Sequence, residues 1–91
     1  MTLRIERRVL RKKVILQLVG NLGIEHLDEL KAQIAAAGRD VVLDVGAVTL
    51  ISVEGIRFLN SCANEGIAVR NASHYISEWM TLERSIGQKG T

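Results

Sequence analysis

Apolar and charged residues alternate near the start of the chain, which is the pattern of half-exposed β-strands. Residues 3–7 predict a first strand, and residues 14–19 predict a second strand with apolar side chains on one face. The connection over residues 9–12 contains neither Gly nor Pro and is too short for a parallel crossover. The two strands are therefore expected to pair antiparallel, and residues 20–23 are expected to form a loop.

The next segment, residues 24–37, has apolar positions at steps of three and four residues, which predicts an amphipathic helix. The positions expected to face the core are Ile24, Leu27, Leu30, Ile34 and Ala37. Acidic residues cluster in the first turns, where they complement the helix dipole, and Gly38 supplies the stop.

The stretch from residue 40 to residue 66 predicts a buried strand, a short turn and a second helix. Residues 40–45 are apolar and β-branched apart from a Leu and two Asp residues, and residues 46–51 are expected to form the turn. Ser52 then opens a helix with apolar positions at three-residue steps. Because the strand lies between two helices, it is expected to be internal and parallel. Its carboxyl end would meet the free N–H groups of the helix N-terminus, so a site is expected there.

The last quarter of the chain predicts a short strand, residues 67–70, and a third helix with Ser73 as its N-cap. The apolar positions of this helix are Tyr75, Ile76, Trp79, Met80, Leu82 and Ile86. The order β-β-α-β-α-β-α predicts a single α/β domain over residues 1–91. We expect about four strands in a mixed sheet, three helices packed mainly on one face, a basic strand and turn over residues 1–13, and fraying over residues 87–91.

Alternation assigns different residues to the two faces of the sheet. The face expected under the helices carries Leu3, Ile5, Val14, Leu16, Leu18, Leu43, Ile67 and Val69. The opposite face carries Arg4, Glu6, Gln17, Asp44 and Arg70 among Ile15, Val19 and Val42. Such a mixed face is either solvated, which is the favoured interpretation, or a contact for a second copy.

Composition supports a folded domain, since 47% of the residues are hydrophobic and 24% are charged. The longest nearly apolar run, residues 41–53, is shorter than the roughly 20 residues that a bilayer-spanning helix needs. No small-residue cleavage site follows the apolar run at residues 14–19, so a signal peptide is not expected. The single cysteine, Cys62, allows no disulfide framework and favours a reducing cytoplasm. No membrane partner is expected.

Charge is unevenly distributed along the chain, although the formal net charge is only +2. Residues 1–13 have a net charge of +5 and the remainder has a net charge of −3. The basic residues of the first segment are Arg4, Arg7, Arg8, Arg11, Lys12 and Lys13. They either protect an edge strand from aggregation, which is favoured, or contact an acidic partner, RNA or DNA. Nucleic acid is the weaker alternative, because no aromatic residue for base stacking lies among these charges.

Candidate catalytic and metal-binding groups are scarce in the sequence. His26 and His74 have no second His or Cys at ligand spacing, so a metal site is not expected. Cys62 lies on the apolar side of the second predicted helix and is interpreted as a small hydrophobic residue of the core. It has no paired base, and no Gly-rich loop for a phosphate is present. We therefore expect no enzyme and no cofactor.

With this element order, three short segments resemble the STAS domain, the domain of anti-sigma-factor antagonists and of the cytoplasmic tails of sulfate transporters. They are Val42-Leu43-Asp44-Val45, Val48-Thr49-Leu50-Ile51 and Gly55-Ile56-Arg57-Phe58-Leu59. The resemblance covers residues 14–80 and implies a non-enzymatic regulatory protein-interaction module. The implied partner is a kinase, an anti-sigma-factor-like protein or another signalling protein. Family members usually add a further strand and helix, so this chain resembles a shortened version.

In the family, this segment ends in an Asp-Ser-Ser/Thr-Gly signature, in which a hydroxyl is phosphorylated by a partner kinase. Aligned on Gly55, the matching residues here are Ser52, Val53 and Glu54. The phosphoacceptor position is therefore occupied by Val53 or Glu54, neither of which accepts a phosphate. The resemblance thus implies the fold and the protein-binding role without phosphorylation at the usual position.

The residues expected to bind a partner are Ser52, Val53, Glu54, Gly55, Arg57 and Asn60, the last two as the exposed side of the second helix. Ser52 is interpreted first as an N-cap and second as a displaced phosphoacceptor. Glu54 either complements the helix dipole or supplies permanently the charge that a phosphate adds reversibly. Gly55 costs helix stability, and either a partner's backbone or close helix–sheet packing would explain it. A structural homodimer remains a further alternative.

Overall fold

The computed structural model describes residues 2–38 and 40–89, and it confirms the predicted fold class. Four strands form a mixed sheet in the order β1-β2-β3-β4, and three helices complete the order β-β-α-β-α-β-α. β1 pairs antiparallel with β2, while β3 lies parallel to both β2 and β4. The strands are β1 (Leu3–Leu10), β2 (Lys13–Leu22), β3 (Asp40–Ile51) and β4 (Ala68–Arg70), and the helices are α1 (Leu27–Ala37), α2 (Val53–Asn64) and α3 (His74–Lys89).

The core lies between the helices and the sheet face that alternation assigned to it. Val14, Leu16, Leu18 and Leu43 are buried there. Leu3, Ile5, Ile67 and Val69 are partly buried and pack against the same cluster. Leu30 of α1, Ile56 and Leu59 of α2, and Ile76 and Met80 of α3 supply the facing layer. Burial of these aliphatic side chains is the main stabilising term, at about 2 kcal/mol for each one that is fully buried.

The first hairpin is longer than the sequence pattern indicated. β1 continues to Leu10 and β2 begins at Lys13, so the turn contains only Arg11 and Lys12. Arg11 has a φ of 51°, which lets the chain reverse within two residues. β2 also continues past the predicted loop start, and Leu22 at its end is 1% exposed.

β3 is one strand of twelve residues, so the predicted turn over residues 46–51 is wrong. The register with β2 shifts twice, between Gln17 and Val19 and between Gly20 and Asn21. β3 therefore carries two extra residues relative to β2, as in β-bulges. Pairing with β2 keeps the segment extended despite Gly46, whose N–H donates to Asp44 Oδ1 at 2.9 Å.

The first predicted helix divides into a short 3₁₀ turn and α1. Ile24–His26 form the 3₁₀ turn, and Ile24 is 63% exposed, so its assignment to the core was wrong. His26 tightens this turn, because its Nδ1 accepts the Gly23 N–H at 3.2 Å. The tighter winding rotates Ile24 away from the stripe that Leu27 and Leu30 continue.

α3 packs on α2, with Ser73 as its N-cap as predicted; the Ser73 Oγ accepts the Ile76 N–H at 3.2 Å. The predicted apolar stripe divides between two sides of this helix. Ile76 and Met80 are buried, whereas Tyr75, Leu82 and Ile86 are 61–64% exposed. The helix continues to Lys89, and the remainder of the segment expected to fray, residues 90 and 91, lies outside the described residues. None of the helices in the described part of the chain is long and apolar enough to cross a membrane.

Candidate functional site

The candidate site lies where the carboxyl ends of β2 and β3 meet the first turn of α2. The Ser52 N–H donates to the Leu22 carbonyl at 3.0 Å, which connects the start of α2 to the end of β2. The Ser52 Oγ accepts the Gly55 N–H at 3.2 Å, and the Ser52 carbonyl accepts the Ile56 N–H at 3.0 Å. Ser52 is thus the N-cap of α2, as the sequence predicted, and its hydroxyl oxygen already has a structural partner.

Gly55 is buried because α2 approaches the sheet closely at this point. A Cβ on residue 55 would lie 2.8 Å from Ile51 Cγ1 and 3.0 Å from the Leu22 carbonyl oxygen. Of the two explanations for this glycine, helix–sheet packing is therefore the one with an observed contact. Its burial also removes Gly55 from the surface that a partner could touch.

Val53 and Glu54 are half-buried in the first turn of α2. The Glu54 carboxylate complements the positive end of the helix dipole, as expected from its position. Glu54 also lines a groove of about 530 Å³ between α1 and α2, together with Leu27, Lys31 and Phe58. The carboxylate therefore stands between the helix N-terminus and a partly apolar groove.

Two exposed aliphatic side chains beside Ser52 were missed by the sequence reasoning. Leu50 is 57% exposed and Ile24 is 63% exposed. Leu50 is exposed because the second register shift in β3 turns both Thr49 and Leu50 outward. A depression lined by residues of both segments, including His26, Leu50 and Ser52, separates the 3₁₀ turn from the end of β3.

We call the patch around the start of α2 the Ser52 surface, and it consists of the exposed Ile24 and Leu50 and the half-buried Ser52, Val53 and Glu54. Nothing in the sequence separates Ile24 from the helix stripe, because Gly23 has no side chain that could mark a capping box. Nothing local marks Leu50 as exposed, since its orientation depends on how β3 pairs with β2.

Arg57 and Asn60 lie elsewhere on α2 and face α3. Arg57 is exposed, and its Nε lies 2.9 Å from Glu83 Oε1. Asn60 is 7% exposed, so the expectation that it belongs to the exposed side of the helix was wrong. Its Nδ2 donates to the Met80 carbonyl at 2.9 Å, and no partner is found for its Oδ1 among the described residues. The role of Asn60 is to hold α3 against α2.

Cys62 is buried as expected, at 4% exposure. Burial raises the pKa of its thiol from 9.0 to about 11, Glu65 adds to the rise, and Lys31 opposes it. The thiol therefore stays protonated and unreactive at neutral pH. Within the described part of the chain, no three His, Cys, Asp or Glu side chains are grouped so that they could hold a metal ion.

The basic residues from Arg7 to Lys13 lie toward the opposite end of the sheet from the Ser52 surface, whereas Arg4 pairs with Val19 nearer to it. Lys13 begins β2 beside Asp40, the first residue of β3, whereas Leu22 and Ile51 end the two strands together. Arg7 and Arg8 lie on the last part of β1. The structure thus keeps the candidate nucleic-acid contacts and the candidate partner contacts apart.

A scan against models of protein families gives no match, and no curated protein matches the sequence.

Proposed function

We propose that this chain is a non-enzymatic, STAS-like protein-interaction module that binds a regulatory protein through the Ser52 surface. The observation that carries the proposal is the exposure of Leu50 and Ile24 beside the capped N-terminus of α2. Aliphatic side chains next to backbone N–H groups offer a partner both apolar contact and hydrogen-bond donors. The carboxyl ends of parallel strands are also where open α/β sheets usually bind ligands.

Glu54 gives this surface a fixed negative charge in place of a switchable one. A phosphate on Ser52 would instead have to displace the hydrogen bond between the Ser52 Oγ and the Gly55 N–H. The proposed module is therefore held in one binding state, with a kinase-like or anti-sigma-factor-like protein as the class of partner. The single buried Cys62 supports a cytoplasmic location for this activity.

Affinity capture with matched variants tests this proposal. The tagged chain is used to isolate a partner from a bacterial lysate, and the captured protein is identified, purified and titrated against each variant. Leu50→Asp and Glu54→Lys are expected to weaken binding at least about ten-fold, the effect of removing one interface anchor. Leu82→Asp is the control, because Leu82 is 61% exposed on α3 and receives the same chemical change. Equal affinity for the Leu50→Asp and Leu82→Asp variants would refute the assigned surface.

Intact-mass spectrometry of the chain isolated from its own cells tests the absence of a phosphate switch. The expected result is the unmodified mass. A phosphoryl group located on Ser52 by fragmentation would show that the displaced-acceptor interpretation is the right one and that Glu54 does not replace the switch.

A further inference from the structure

The tip of the first hairpin is a second surface with an unusual composition. We define the hairpin tip as residues 7–13, and its cations are Arg7, Arg8, Arg11, Lys12 and Lys13, all of them exposed. No acidic residue occurs in this segment. The nearest acidic groups by pairing are Glu6, whose carboxylate lies 2.9 Å from Arg4 Nε, and Asp40, beside Lys13. The tip therefore holds five cations and no carboxylate within its own seven residues.

Two aliphatic side chains project among these cations, since Val9 and Leu10 are each 56% exposed. Consecutive side chains of a strand point to opposite faces of the sheet. A partner lying flat on either face would therefore cover Val9 or Leu10 but not both. Only an approach from the end of the hairpin buries the two side chains together.

We propose that the hairpin tip binds the surface of an anionic lipid bilayer end-on. A fluid interface closes around both sides of a narrow tip, so Val9 and Leu10 enter the boundary between headgroups and acyl chains. The surrounding cations then lie at the level of the lipid phosphates and carboxylates. Each Lys or Arg near such a surface strengthens binding about five-fold at moderate salt.

Nucleic acid fits this tip less well, although it offers the same negative charge. A phosphate backbone pairs with the cations but gives the two aliphatic side chains no apolar surface to enter. Single-strand binders usually stack bases on aromatic residues, and the aromatic residues of this chain, Phe58, Tyr75 and Trp79, lie on α2 and α3. The expectation of no membrane partner rested on the lack of a spanning segment, which binding at the surface does not need.

The proposal is independent of the proposed function, because the two surfaces lie at opposite ends of the sheet. β2 runs from the tip at Lys13 to Leu22 beside Ser52, a span of about 30 Å for ten residues in an extended strand. A domain held by the tip would present the Ser52 surface away from the bilayer. A chain that does not bind lipid could therefore still bind a regulatory partner through the Ser52 surface. A chain without such a partner could likewise still bind lipid through the tip.

Co-sedimentation of the full chain with vesicles tests the tip. Vesicles of phosphatidylcholine alone are compared with vesicles that also contain phosphatidylserine, at low and at high salt. Binding is expected with phosphatidylserine, is expected to weaken as salt rises, and is expected to be absent with phosphatidylcholine alone.

Two uncharged double variants separate apolar insertion from charge. Val9→Ser with Leu10→Ser is expected to lower binding about ten-fold or more, through the loss of apolar burial. Leu82→Ser with Ile86→Ser is the control pair, because these side chains are 61% exposed on α3, and it is expected to bind as the unmodified chain does. Circular dichroism verifies that both double variants are folded.

Three results would overturn the proposal. They are a failure of the chain to sediment with phosphatidylserine vesicles, an equal loss of vesicle binding in the two double variants, and retardation of duplex DNA in a gel by a chain that does not bind the vesicles. The last result would reassign the tip to nucleic acid.

Discussion

At the scale of single residues, Gly55 is the position where the close approach of α2 to the sheet can be tested. In Gly55→Ala, the new Cβ would meet Ile51 Cγ1 at 2.8 Å and the Leu22 carbonyl oxygen at 3.0 Å. The Leu22 carbonyl belongs to the backbone of β2, so the contact can be relieved only if α2 and β2 move apart. We therefore expect a loss of about 1–3 kcal/mol in the free energy of unfolding. This loss opposes the gain of about 1 kcal/mol that Ala brings to a helix interior.

Urea unfolding of the Gly55→Ala variant measures that balance. Ala32→Gly, at an exposed position in the middle of α1, serves as the control for helix propensity and is expected to cost about 1 kcal/mol. A Gly55→Ala variant more stable than the natural chain would mean that the contact with Leu22 is not tight. In that case close helix–sheet packing would not explain the glycine.

The fate of the predicted site residues shows what a sequence can reveal at this scale. The cap at Ser52 was predictable because it depends on atoms three residues apart in the chain. The burial of Asn60 was not, because it depends on the packing of α3 and the Met80 carbonyl, twenty residues away. Local hydrogen bonds can be inferred from sequence pattern, whereas exposure on a helix requires knowledge of which neighbour covers it.

Cys62 provides a prediction about pH. Its pKa is 9.0 in an unfolded chain and is raised to about 11 by burial in the native state. Below pH 9.0 both states keep the proton; between pH 9.0 and about 11 only the unfolded state releases it. The free energy of unfolding is therefore expected to fall as pH rises through this window, by up to about 2 kcal/mol.

Parallel unfolding curves of the natural chain and of Cys62→Ala isolate this contribution from other groups that titrate at high pH. The stability difference between the two proteins should narrow from pH 9.0 to about 11 as the natural chain loses its advantage. A difference that stays constant over this range would show that the native thiol titrates normally.

At the scale of elements, the existence and order of the strands and helices were predictable, while their ends were not. Periodicity identified β2, α1 and α2 because each buries one face. The extension of β3 through residues 46–51 was hidden because Gly46 is typical of turns, and only pairing with β2 keeps the segment extended. The bulges that turn Leu50 outward arise because β3 is two residues longer than the part of β2 with which it pairs. This difference in length cannot be inferred from the sequence of either strand alone.

α3 is attached mainly by two buried side chains, which gives a prediction for the whole element. Met80→Ala removes a side chain that is 6% exposed and should destabilise the chain by about 2–4 kcal/mol. Leu82→Ala, two residues further along at 61% exposure, should change stability by less than about 0.5 kcal/mol. The Arg57–Glu83 pair is too exposed at Arg57 to compensate.

Hydrogen exchange of the α3 amides, together with urea unfolding, measures the effect of the two substitutions. In Met80→Ala, protection is expected to fall first in α3 and least in β2, the strand that lies between β1 and β3. Equal losses in the two variants would place the attachment of α3 on the exposed side of the helix.

At the scale of the whole molecule, the sheet has two open edges of different length. β4 pairs over three residues, whereas β1 presents an eight-residue edge. An edge of that length can add a strand from another copy unless charge prevents it. Arg4, Arg7 and Arg8 lie on this strand, and an antiparallel pair of β1 edges would bring the cations of two copies together.

Neutralising this edge is therefore expected to cause self-association. Arg7→Thr with Arg8→Thr removes two cations and adds residues that favour strands. Lys31→Thr with Arg84→Thr is the control, because it lowers the net charge of +2 by the same amount on two helices. Light scattering over a range of concentrations should show a rising mass for the edge variant alone.

If both variants associate, net charge rather than the edge keeps copies apart. If the natural chain is already a dimer, and the edge variant dissociates over the same range of concentrations, the open sheet face becomes the candidate contact, because a dimer through β1 would dissociate less readily once its cations were removed.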